Sequence, residues 1–230
     1  MGGARPPELP SLPRSVPVFP LPSVVFFPGT VVPLHVFEPR YRLMVRDARA
    51  GSGFIALALL KPGWEPEYYG SPEVHSIGCA GRLLEVVDLP AGRFNIKLTG
   101  ICRVRFLSFE SESPYRVARV HALHERIPDE ERADVKEARM GLVGAYALFM
   151  AKKTGQPAAG IEGAATAPLQ TLVNTLCAQM DLPPPKKQKL LRMDDILERC
   201  LVLTEFLAQE RRNLLPRGGE SPGGGSPTVH

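Results

Sequence analysis

Pro33-Leu34-His35-Val36-Phe37-Glu38-Pro39-Arg40-Tyr41 is the stretch on which the fold of this 230-residue chain turns. It joins two backbone regimes within nine residues. Val31 to Phe37 reads as an extended run, and Pro33, which has no N–H to give to a ladder, suggests a sheet edge or a bulge. Glu38-Pro39 then reads as a helix start, with proline at the first helical position. Tyr41, Met44, Val45 and Ala48 recur at helical spacing, whereas Arg42, Arg46 and Arg49 lie off that stripe. Gly51 and Gly53 end the helix. His35, inside an apolar strand, is expected to hydrogen-bond in the core.

Outward from this junction the pattern is that of many short strands. Upstream, Val16, Val18 and Phe19 begin a strand punctuated by Pro20 and Pro22, and Val24 to Phe27 is a short apolar run. Pro28-Gly29 follows as a tight turn, because proline presets φ and glycine accepts positive φ. Downstream, Phe54 to Leu60 reads as a buried strand, Lys61 to Pro72 as a polar and aromatic loop, and Ile77 to Leu89 as a strand again. Pro90-Ala91-Gly92 is a hairpin signal. In the strand beyond it, Phe94, Ile96 and Leu98 face one way and Asn95, Lys97 and Thr99 the other. Gly100 marks a bulge, and Tyr115 to Leu123 is the last strand. Short strands, one short helix and frequent Gly/Pro turns predict a closed or strongly coiled β-structure.

At Pro128 the period changes. Asp129, Glu130 and Glu131 read as the acidic start of a helix. Val135, Ala138, Leu142, Tyr146 and Phe149 form its apolar stripe, and Lys152, Lys153 and Gly155 its end. Thr166 and Pro168 open a second helix carrying Leu169, Leu172, Val173, Leu176 and Met180. Further helices are expected over Lys186–Arg192 and Asp195–Arg212, the latter capped by Asp194. The expected class is α+β: a barrel-type β-domain over 15–125, then an all-α bundle over 126–212. Proline- and glycine-rich ends, 1–14 and 213–230, are expected to be disordered.

Bulk composition narrows the function classes. At 44% hydrophobic and 23% charged the chain is ordinary for a globular protein. A net charge of +4 without a concentrated basic stripe argues weakly for an anionic partner. Cys79, Cys102, Cys177 and Cys200 form no CxxC pair and sit in apolar runs, as buried thiols of a reducing compartment do. No signal-peptide core and no run near the ~20 apolar residues of a membrane span is present. A cytoplasmic protein is expected, with no membrane partner.

The chemistry-bearing motifs are missing. No G-x-x-x-x-G-K-[ST] phosphate loop and no G-x-S-x-G nucleophile turn occurs. His121 and His124 are three apart in a strand and so point to opposite faces, with no cysteine nearby to complete a metal set. Asp194-Asp195 at a helix start is explained by capping. No catalytic, cofactor or metal residue is assigned. One surface feature stands out: Trp64, Tyr68 and Tyr69 in a loop can anchor a protein partner, or fold back over the sheet.

The run Val18-Phe19-Pro20-Leu21, then Val25-Phe26-Phe27-Pro28-Gly29, then Pro33 to Tyr41 resembles the opening of the Lon protease N-terminal (substrate-binding) domain family. Looser matches are Gly92-Arg93-Phe94-Asn95-Ile96, Gly100-Ile101-Cys102-Arg103-Val104-Arg105, Pro114-Tyr115-Arg116-Val117-Ala118 and Asp181-Leu182-Pro183. The resemblance implies a PUA-like β-domain carrying helices, without the ATPase and protease modules of Lon. It also implies a non-catalytic module that engages unfolded or tagged polypeptides. Phe26, Phe27, Trp64, Tyr68 and Tyr69 are the expected contact residues. Pro28, Gly29, Pro33, Phe37, Glu38, Pro39, Arg40 and Tyr41 are the motif's structural residues. RNA binding, as in other PUA-like folds, is the rival expectation.

Overall fold

The computed structural model describes residues 11–214, except 69, 157–160, 162 and 165. The expected disordered ends lie almost wholly outside the described residues. The strands are β1 Ser15–Leu21, β2 Val31–Val36, β3 Phe54–Leu59, β4 Ile77–Leu89, β5 Arg93–Ser111 and β6 Arg116–Ala122. One helix, α1 Pro39–Ala50, sits among them, and α2 Ala133–Thr154, α3 Leu169–Gln179, α4 Pro184–Arg192 and α5 Ile196–Asn213 follow.

The sheet order is β2-β5-β4-β3-β1-β6, and β6 also pairs with β5. The extra pairing closes a five-stranded ring and leaves β2 outside it, held by β5 alone. β1 and β3 are parallel; the other pairs are antiparallel. β5 can serve three neighbours because it is 19 residues long. Its first half carries β2, and its second half carries β6. The change of partner falls at the bulge expected from Gly100: Ala80 pairs with Cys102 but Gly81 with Gly100. Here β5 meets the Pro28-Gly29 turn. Gly29 has φ +74° and donates its N–H to the Gly100 carbonyl at 2.9 Å. A Cβ on residue 100 would lie 2.2 Å from the Phe27 carbonyl oxygen, so only glycine fits.

Side-chain alternation fills the interior as the sequence predicts. Phe94, Ile96 and Leu98 are buried, and α1 lays Tyr41, Met44, Val45 and Ala48 against them and against Phe19 and Phe26. A separate core runs through the helices and includes Val25, Phe27, Leu59 and Ile77 from the strand half. The two halves are therefore welded along a shared apolar seam.

Polar groups lock the same seam. Arg103 on β5 and Arg199 on α5 are both fully buried. Glu125 Oε1, in the connector after β6, lies 3.1 Å from Arg103 Nε and 2.7 Å from Arg199 Nη2. Arg103 also donates to the carbonyls of Leu191 and His124 and to the Asp194 carboxylate, and Arg199 to the Asn174 side chain and the Met193 carbonyl. Asn174 in turn donates to the Pro28 carbonyl, and Gln188 to that of Ile77.

Four helix starts differ from expectation: α4 begins two residues early, at Pro184, and at α5, α2 and α3 the capping groups are not the expected ones. Asp195, not Asp194, caps α5, accepting from the Leu197 and Glu198 N–H groups. Asp194 is turned to Arg103 at 2.8 Å instead. α2 begins at Ala133 rather than at Asp129. Glu130 leaves that helix to bind Arg139 and to accept the Leu169 N–H at 2.7 Å. It thus caps the start of α3, where Thr166 was expected to act. His35 is the other correction. It points outward and is exposed, bonding the Asn95 side chain at 2.7 Å, because odd-numbered residues of β2 face away from the core.

Removing the shared carboxylate should unfold the seam. Glu125→Ala leaves two buried guanidiniums facing each other and is expected to cost about 3–5 kcal/mol, read from urea denaturation. A loss below about 1 kcal/mol would show that the arginines do not depend on it.

Candidate functional site

The motif from Pro33 to Tyr41 divides its residues between two jobs. Leu34 and Val36 point inward, and Tyr41 is buried with its ring 4.3 Å from that of Phe19. Pro33, His35 and Phe37 point outward. Phe37 keeps 59% of its surface exposed, so it does not act as a core residue of the motif. Pairing aligns Pro33 with Lys97 and Glu85, and His35 with Asn95 and Val87. Across this three-stranded corner runs a groove of about 480 Å³ lined by those residues. Val31, Leu84 and Val87 add further exposed apolar surface on β2 and β4. Lys97, the one Lys or Arg among the described lining residues of the groove, is 2.6 Å from Glu85.

The expected contact residues separate. Phe26 and Phe27 do not belong to any surface: Phe26 packs in the barrel core and Phe27 in the helical core. Consecutive residues of an extended segment face opposite ways, and here both sides are covered. Trp64 and Tyr68 are half-buried and pack edge to face at 5.5 Å. Tyr69 lies outside the described residues. The loop is docked by the motif itself. Tyr68 Oη donates to Glu38 Oε1 at 2.6 Å, and Arg40 donates from Nε to Glu38 Oε2 at 3.1 Å and from Nη2 to the Tyr68 carbonyl at 3.0 Å. The Arg40 guanidinium also lies over the Tyr41 ring at 4.6 Å. Glu38 and Arg40 thus fasten Tyr68 to the motif. This tether was not legible in the sequence, since its partners lie 28 and 30 residues apart.

The arginines of α1 are engaged within the fold. Arg42 donates to the Ala91 carbonyl, Arg46 lies over the Phe94 ring and Arg49 pairs with Asp88. All four cysteines are free and buried. Burial raises the Cys79 thiol, lifts Cys102 to about 11 and lifts Cys177 and Cys200 to about 12. Thiols held that far from ionisation are poor nucleophiles. Among the described residues, no group of three or more His, Cys, Asp or Glu could hold a metal, and no helix is long and apolar enough to cross a membrane.

A closed β-barrel with one helix between its strands, followed by four helices and flanked by an outlying edge strand, defines an α+β protein. The structure resembles the N-terminal domain of Mycobacterium avium complex Lon protease (TM-score 0.64, 22% identity, 84% of this chain and 98% of that one). It also resembles a Lon N-terminal domain protein from Xanthomonas campestris (TM-score 0.60, 22% identity, 84% and 97%). Residues 15–209 match the family described as the ATP-dependent protease La (LON) substrate-binding domain, and the chain belongs to that family. Among its relatives, the Lon protease of Flavobacterium johnsoniae is 28% identical over 88% of this chain and 25% of its own length. That of Anaeromyxobacter dehalogenans is 24% identical over 88% and 24%. The chain thus spans about a quarter of the length of these relatives.

The tether carries a pH signature. The hydrogen bond to Glu38, aided by burial, pushes the Tyr68 phenol up to about 12. A phenol raised above its usual value of about 10 stabilises the docked loop fully below that pH and loses the contribution as pH climbs through about 12. Trp64 is the sole tryptophan and adjoins Tyr68, so its emission should change across this alkaline window. Tyr68→Phe should abolish most of that change; an identical transition in the variant would rule the tether out as its source.

Proposed function

We propose that this chain is a non-catalytic polypeptide-binding module that engages unfolded or tagged proteins through the outer face of β2, β5 and β4. The observation that carries the reading is the groove near Phe37, where Pro33, Leu34, Val87 and Ile96 supply apolar wall and the one lysine among the described lining residues is paired with Glu85. Val31, Phe37, Leu84 and Val87 present aliphatic and aromatic surface to solvent around it. Exposed apolar surface of this kind marks protein-interaction sites. Trp64, Tyr68 and Tyr69 are proposed as further contacts, since Tyr68 is tied to Glu38, the residue after Phe37. RNA, the rival partner, calls for arginines and lysines free to meet phosphates. In the groove Lys97 is already paired, and the α1 arginines are spent on the hairpin tip, Asp88 and Phe94. The family to which residues 15–209 belong is named for substrate binding, which supports the polypeptide reading. Four buried free thiols fit a reducing, cytoplasmic setting.

Fluorescence anisotropy with a panel of labelled unfolded proteins and peptides tests the proposal. Saturable binding in the micromolar range is expected, and its absence up to high micromolar concentrations would refute it. Phe37→Ser should weaken binding about tenfold, the equivalent of burying most of one aromatic side chain. Because Phe37 is exposed, its stability cost should stay within about 0.5 kcal/mol.

A further inference from the structure

We infer that the polypeptide is held as an added β-strand on the open edge of β2. This rests on the polypeptide-binding reading and specifies how the bound chain is gripped. β2 pairs with β5 on one side, and no described strand pairs with it on the other. The direction of its backbone groups follows from the ladder. Gly100 N–H donates to the Thr30 carbonyl at 2.8 Å, which makes Thr30 opposite Gly100 a hydrogen-bonded position. Antiparallel pairs alternate, so Val32, Leu34 and Val36 also bond to β5. Val31, Pro33 and His35 turn their backbone groups to the open side. Pro33 agrees with this: its missing N–H falls where β5 has no use for it. The open edge therefore offers donors at Val31 and His35 and acceptors at Val31, Pro33 and His35.

An extended, unfolded segment is the occupant that fits. Only a chain whose own N–H and C=O groups are unpaired can complete such an edge. A folded partner presents them only along its own sheet edges. A second copy of this chain is disfavoured by Pro33, which would remove a donor from both strands of a β2–β2 pair but from only one side of a foreign pairing. Strand addition also explains the chemistry beside the edge. Alternate side chains of an added strand lie on the outer face, next to Val31, Pro33 and Phe37. A segment with apolar residues at every second position is the class selected. Backbone bonding supplies affinity without reading sequence, as a binder of many unfolded chains requires.

Amide hydrogen exchange on the whole protein, with and without a saturating unstructured peptide of alternating apolar pattern, decides the matter. Val31 and His35 amides should exchange readily in the free protein and slow about tenfold or more on binding. Val32 and Leu34 should be protected in both states. His35→Pro deletes the outward donor and should weaken the peptide roughly tenfold. His35→Ala keeps the N–H and removes only a side chain of the groove wall, so it should lose clearly less affinity than His35→Pro. A peptide N-methylated at alternate residues along one edge should fail in that register. Tight binding with no new protection at Val31 and His35, or with His35→Pro and His35→Ala behaving alike, overturns strand addition and leaves polypeptide binding standing. No binding of any peptide defeats both.

Discussion

Glu125 sits between two guanidiniums shut away from solvent. Arg103 comes from the longest strand and Arg199 from the last helix, and both are stripped of solvent. A buried arginine pair would repel, and each member alone would lose several kcal/mol of solvation. One carboxylate, supported by the carbonyls of Leu191, His124 and Met193, makes the arrangement tolerable. The consequence is geometric. β5, the connector after β6, α3 and α5 must meet at one point, which fixes the helices against the barrel. Other features follow from that fixed relation: the burial of Phe27 under the helices, the reach of Asn174 to the Pro28 carbonyl and the diversion of Asp194 from capping to ion pairing.

Local structure was legible in the sequence wherever one segment settles its own conformation. The stripe of Tyr41, Met44, Val45 and Ala48, the limits of β4 at Ile77 and Leu89, the hairpin at Pro90–Gly92 and the bulge at Gly100 all follow from spacing and turn chemistry. The reading failed where a distant group competes. Asp129 to Glu131 carry the charge pattern of a helix start, yet Glu130 is worth more to Leu169 and Arg139 than to its own helix. His35 has an apolar neighbourhood in sequence, but alternation places it on the solvent side, and nothing local says which side that will be.

The candidate site was half legible for the same reason. Aromatic residues in the 61–72 loop are visible as a cluster, but the Glu38 tether that gives them a position is not. Phe26 and Phe27 look as available as Phe37 in a linear reading. Their burial depends on two separate cores, one formed by α1 and one by helices more than a hundred residues downstream. Phe37 remains outside because the chain turns into α1 at Pro39, before a further strand residue could be covered.

The closed ring imposes an order on how the protein is made. β4 and β5 are neighbours in sequence and pair through a short hairpin, so they can form as soon as they exist. β1 is different. It lies beside β3 and is sealed by β6, with Val16 opposite Ala118. A chain emerging from the ribosome must therefore carry its first strand unsealed until the sixth has been synthesised. For that interval Val16 and Val18, fully buried in the finished barrel, have no partner across the closing seam. The first strand of this protein is thus an exposed, extended segment until the barrel closes.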